Sequence, residues 1–93
     1  MTIDEFVEAA AQYCYMMRAS VTSWGRSEKH NEQVGGVKNS AHRYFRGLDV
    51  VYDDPMLLAQ DPSPRIETAA RLGLKLIAEG DHDHLQPLDW RAG

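Results

Sequence analysis

Gly47-Leu48-Asp49-Val50-Val51-Tyr52 is the stretch from which the rest of the chain is read. Leu48, Val50, Val51 and Tyr52 dominate it and alternate only weakly, so it reads as a buried strand. Asp49 is the exception inside it. An ionised carboxylate in an apolar strand is costly unless it is paired or bound to a cation. Asp49 therefore calls for a partner: a lysine, an arginine, backbone N–H groups or a metal ion.

Working outward towards the N-terminus, His42 precedes Asp49 by seven positions in Ser40-Ala41-His42-Arg43-Tyr44-Phe45-Arg46-Gly47-Leu48-Asp49. From Ser27 to Asn39 the residues are polar and include Gly35-Gly36, which is loop chemistry, and a loop of this length in a small domain is more often functional than idle. Val21-Thr22-Ser23-Trp24 is a β-branched and aromatic run that ends at Gly25, a strand followed by a turn. From Asp4 to about Arg18, Phe6, Ala9, Ala10, Tyr13, Cys14 and Met17 recur at helical spacing. Thr2 and Glu5 form a candidate capping box ahead of them.

Towards the C-terminus, Asp53-Asp54-Pro55 begins a turn, and Met56 to Ala59 make one short helical turn before Asp61-Pro62. A helix follows, with Ser63 as cap, Pro64 in the first position, Ile66, Ala69, Ala70 and Leu72 as the apolar face, and Gly73 as the stop. Leu74 to Ala78 alternates as a strand, and Asp83-His84-Leu85-Gln86 reads as another that Pro87 ends. The order predicts a small single α+β domain over residues 1–93, an antiparallel sheet with packed helices.

Bulk properties agree. A chain of 93 residues supports one modest core, marginal without help, and a bound metal is one form of help. Ten basic residues against 14 acidic ones, with no basic cluster beyond pairs, argue against a nucleic-acid partner. No run has the length of a membrane span, so no membrane insertion is expected, and the acidic start lacks the pattern of a signal peptide, which predicts cytoplasmic synthesis. The single cysteine, Cys14, lies among apolar residues and reads as a small buried hydrophobe.

The second feature is Glu79-Gly80-Asp81-His82-Asp83-His84. In a strand, residues two apart share a face, which puts His82 and His84 on one side and Asp81 and Asp83 on the other. Two imidazoles on one face and a carboxylate on a neighbouring strand suggest zinc, which accepts nitrogen and oxygen ligands. The alternative is a solvated hairpin end.

Taken together, Ser23-Trp24-Gly25-Arg26, His30-Asn31 with Val34-Gly35-Gly36, Ser40-x-His42 with Asp49, and Glu79 through His84 resemble the zinc D-Ala-D-Ala carboxypeptidases and phage endolysin peptidases that cut peptidoglycan stem peptides. The resemblance spans roughly residues 20 to 90. It implies Zn2+ held by His42, Asp49 and His84, with zinc-activated water as the nucleophile. His82 is the other register for the third ligand, since both Glu79-x-x-His82 and Asp81-x-x-His84 are present.

Glu79, His82 and Asp81 are the candidates for the base that the resemblance implies. Glu79 and His82 rank first, because strand alternation turns Asp81 away from His84. Arg26 is the candidate to hold a substrate carboxylate or a developing oxyanion, and Ser40 to support the site. Where the family's first motif has glycine and then alanine, this chain has Phe45 and Gly47, a difference that bears on substrate preference.

The implied protein is a monomeric zinc metallopeptidase acting at the bacterial cell wall, phage-encoded or virion-associated. It would cleave stem peptides as a carboxypeptidase or an endopeptidase. Two other readings are a non-catalytic zinc-binding or peptide-binding relative of the same fold and a metal-free interaction domain. Trp24, Trp90 and Tyr44 are candidates either to line a peptide cleft or to pack at the rim of the core.

Overall fold

The computed structural model describes residues 1–24 and 46–89. The first helix, α1 (Ile3–Met17), starts where the sequence places its cap. The Thr2 hydroxyl accepts the Glu5 N–H at 3.2 Å, and the Glu5 carboxylate accepts the Thr2 N–H at 2.7 Å. Two otherwise orphaned donors are satisfied reciprocally. Phe6, Ala10 and Tyr13 of this helix are buried, and Ala9, Cys14 and Met17 flank them against the core, so the predicted stripe is the packed one. Arg18 ends the helix in the left-handed conformation, φ 51°, with its N–H bonded to the Cys14 carbonyl.

Strands β1 (Ala19–Trp24), β2 (Leu48–Tyr52), β3 (Leu74–Ala78) and β4 (Asp83–Pro87) form one antiparallel sheet in the order β1-β2-β4-β3. β1 pairs with β2 through an irregularity between Val21 and Ser23, and β4 runs unbroken between β2 and β3. A 3-10 helix (Pro55–Ala59) and α2 (Ser63–Arg71) connect β2 to β3. The architecture is α+β. Leu48, Val50 and Tyr52 of β2, Leu74 and Leu76 of β3 and Leu85 of β4 share one core with α1 and with Ala69 of α2.

Two sequence expectations about α2 are corrected. Ser63 is not the cap but the first helical residue, with Pro62 in the cap position and no side-chain cap bond. The Ser63 N–H and hydroxyl both bond Asp61 Oδ1, at 3.0 and 2.8 Å, so the side chain that closes this end comes from two residues upstream. The inward face is also rotated. Arg65 and Ala69 are buried, whereas Ile66 is 41% exposed. A buried arginine displaces the isoleucine because it has an anion to meet. Gly73, φ 81°, does stop the helix, and a Cβ there would meet Met1 Cε at 3.0 Å.

Candidate metal centre

Alternation along β2 and β4 separates two chemistries. Leu48, Val50 and Tyr52 point to the core and leave Asp49 on the opposite face; Asp83, Leu85 and Pro87 point to the core and leave His84 and Gln86 on that same opposite face. Asp49 and His84 are direct partners across the two central strands. Their side chains meet, with His84 Nδ1 3.2 Å from Asp49 Oδ1. His84 Nε2 lies 2.8 Å from Gln86 Oε1.

β3 and β4 are joined by a tight turn. The Glu79 N–H bonds the His82 carbonyl at 3.0 Å, which leaves Gly80 and Asp81 as the loop, and Gly80 has φ 94°. A positive φ at the first loop residue is what primed hairpin turns require. The turn brings His82 to the site from the end of the hairpin: its Nε2 is 3.8 Å from Asp49 Oδ2, and its Nδ1 is 2.6 Å from Asp81 Oδ1. A carboxylate only accepts, so Nδ1–H donates to Asp81, and Nε2 lies on the Asp49 side.

His82 and His84 thus share a face, as the spacing predicts, and Asp83 takes the other. Asp81 departs from the alternation, because it belongs to the turn rather than the strand. It is 91% exposed and, among the described residues, touches the site through His82. Glu79 is exposed and stands opposite His82 at the end of the hairpin, on the face that carries His84. Trp24 pairs with Leu48 on the core face and lines an apolar depression of about 250 Å³ with Val7, Ala10, Ala11 and Val21, so it packs at the rim of the core, away from Asp49. Arg26, Ser40, His42, Tyr44, Phe45 and Trp90 lie outside the described residues.

Beneath the site, Asp83 is fully buried and held from two sides. Arg65 donates through Nε at 2.7 Å and through Nη2 at 3.3 Å, and the Tyr52 hydroxyl donates at 2.5 Å. Arg65 Nη1 also donates to the Leu57 carbonyl, and the Tyr13 and Tyr52 hydroxyls are 2.7 Å apart. The carboxylate of Asp83 raises the Arg65 guanidinium above its ordinary range. Burial pushes the Tyr13 phenol up to about 12, and burial with the Asp83 bond drives Tyr52 higher still. The network clamps the strand residue between His82 and His84.

Sequence reasoning missed Gln86, Arg65, Tyr52 and Tyr13. Gln86 was within reach of it, two residues beyond His84 on a strand and so on the same face. Arg65 carried no local signal.

Among the described residues no group of three His, Cys, Asp or Glu side chains is arranged to hold a metal ion. The pair that is present nevertheless has suitable chemistry. Two ligand atoms on a tetrahedral zinc with bonds of about 2.0–2.1 Å stand about 3.3 Å apart. The separation of His84 Nδ1 and Asp49 Oδ1 is 3.2 Å. No protein-family model, curated protein or solved structure matches the chain.

Proposed function

We propose that the chain is a zinc-dependent peptidase acting on the stem peptides of bacterial peptidoglycan, with Asp49 and His84 as two of the metal ligands. The observation that carries the reading is the cross-strand pair, whose ligand atoms are 3.2 Å apart on a face from which the core is turned away. The third ligand, His42, and the substrate-side Arg26 rest on the sequence resemblance alone. A zinc ion bound there supplies a Lewis acid and a water of lowered pKa.

The chain's own residues do the rest. His82, with Nδ1 tied to Asp81, is the favoured base: Nε2 lies on the Asp49 side, and the Asp81 carboxylate stabilises the charge the ring gains when it takes a proton. Passing that proton to the leaving amine completes the role. Glu79, exposed at the position opposite His82, is the other candidate for that base.

Zinc content per chain, measured by elemental analysis alongside hydrolysis of purified stem peptides, tests the proposal. One zinc is expected in wild type, with loss in His42→Ala, Asp49→Ala and His84→Ala. His82→Ala should keep the metal and lose turnover by roughly 10²–10⁴-fold, the usual worth of a positioned base. Loss of zinc in His82→Ala with retention in His84→Ala moves the ligand register to His82. Zinc binding without hydrolysis in wild type favours a non-catalytic relative, and no zinc after refolding with the metal ends the hydrolase reading.

A further inference from the structure

The sheet face that carries Asp49 and His84 continues onto β3. The core takes Leu74 and Leu76 of that strand, and alternation leaves Lys75 and Ile77 on the opposite side. Register fixes where they stand. Ile77 is the partner of His84, so Ile77, His84 and Asp49 form one row across three strands. Lys75 is the partner of Gln86 and belongs to the next row, about 7 Å along the strands. Both side chains are open to solvent, Ile77 at 37%. Arg65 and Arg71 are each paired with a carboxylate, whereas Lys75 makes no ion pair or side-chain hydrogen bond among the described residues.

The order of the rows gives the substrate a direction. His82 and Glu79, the two candidates for the base, stand opposite each other at the turn end, and the base hands its proton to the leaving amine. The amine then lies at that end, and the acyl part of the peptide runs the other way, past His84 and Ile77 towards Gln86 and Lys75. In an extended peptide, residues two apart point the same way and stand about 7 Å apart, which is the spacing of the rows. The residue that supplies the scissile carbonyl falls over Ile77, and the residue two positions before it over Lys75.

We propose that Ile77 and Lys75 form the specificity subsite for the acyl part of the substrate: Ile77 packs against the alkyl side chain next to the scissile carbonyl, and the Lys75 ammonium holds a carboxylate carried two positions before it. The cation rewards an acidic group there and repels a basic one. The inference rests on the peptidase reading for the place of the scissile bond, but the binding it describes needs no turnover.

The experiment compares two synthetic stem peptides ending in D-Ala-D-Ala, in which the glutamate two positions before the scissile carbonyl carries its α-carboxyl free or as the amide. Binding is measured by calorimetry in chelator-treated protein, and KM and kcat with zinc, for wild type, Lys75→Met, Lys75→Arg and Ile77→Ser. Wild type is expected to bind the acid roughly two- to fivefold more tightly than the amide, the usual worth of an ion pair open to solvent. Lys75→Met should lose that preference, through a higher KM for the acid peptide rather than a lower kcat, and Lys75→Arg should keep it. Ile77→Ser should weaken both peptides alike. A wild type that binds acid and amide equally or binds neither, or a Lys75→Met protein that keeps the preference, overturns the proposal. The preference in binding, lost in Lys75→Met, in a wild type that hydrolyses neither peptide supports the subsite and overturns the peptidase reading alone.

Discussion

Arg65 is the side chain whose loss should be felt most. Its guanidinium and the carboxylate of Asp83 are both buried, at 4% and 0% side-chain exposure. Removing one member of such a pair strands the other. Arg65→Met is expected to cost about 3–5 kcal/mol in urea unfolding, far more than the loss of the exposed Arg71 to Glu67 pair, which should be worth at most about 0.5 kcal/mol. A loss below 1 kcal/mol would mean that the buried pair contributes little to the fold. Tyr13 makes a second prediction at this scale. Its folded pKa of about 12 lies above the ordinary value of 10.0, so the folded state keeps a proton that the unfolded chain sheds. Stability is therefore full below pH 10 and falls as pH rises towards 12, with Tyr52 adding in the same direction. Tyr13→Phe should reduce that alkaline slope in denaturation series across this range.

Each element carries its own test. In α1, Thr2→Ala removes the reciprocal cap and should cost about 1 kcal/mol. In the β3–β4 turn, Gly80 has φ 94° with open space where a Cβ would go, so Gly80→Ala meets backbone strain rather than a clash. A cost of about 1–2 kcal/mol is expected. Because the same turn carries His82 and Asp81 to the site, hydrolysis should fall more than stability does. An unchanged rate would show that the turn conformation is not needed to place His82. The elements were largely legible in the sequence. The Thr2 and Glu5 box, the stripe from Phe6 to Met17, the apolar run of β2 and the alternation of Leu74 to Ala78 all depend on local periodicity and capping, which neighbours in the chain decide. The face of α2 was not legible, because whether Arg65 or Ile66 turns inward depends on a carboxylate 18 residues further on.

For the molecule as a whole, metal binding should appear as stability. A cation that binds only the folded chain adds about 2.7 kcal/mol at a hundred times its Kd, so zinc should raise the midpoint of thermal unfolding and a chelator should reverse the rise. Asp49→Ala and His84→Ala should unfold at one midpoint with or without zinc. Equal midpoints for wild type in zinc and in chelator would count against the metal reading.

The sequence by itself determined where helices and strands lie, that Asp49 needed a partner, and that His82 and His84 share a face. These follow from spacing along one chain segment, where periods of two and of 3.6 suffice. The tertiary structure alone decided that Asp49 stands opposite His84, that Gln86 holds the other side of that ring, and that Asp83 is locked beneath them by Arg65 and Tyr52. Those contacts depend on strand order and register across the sheet. Register is set by which faces the core buries together, so no single stretch of the chain specifies it.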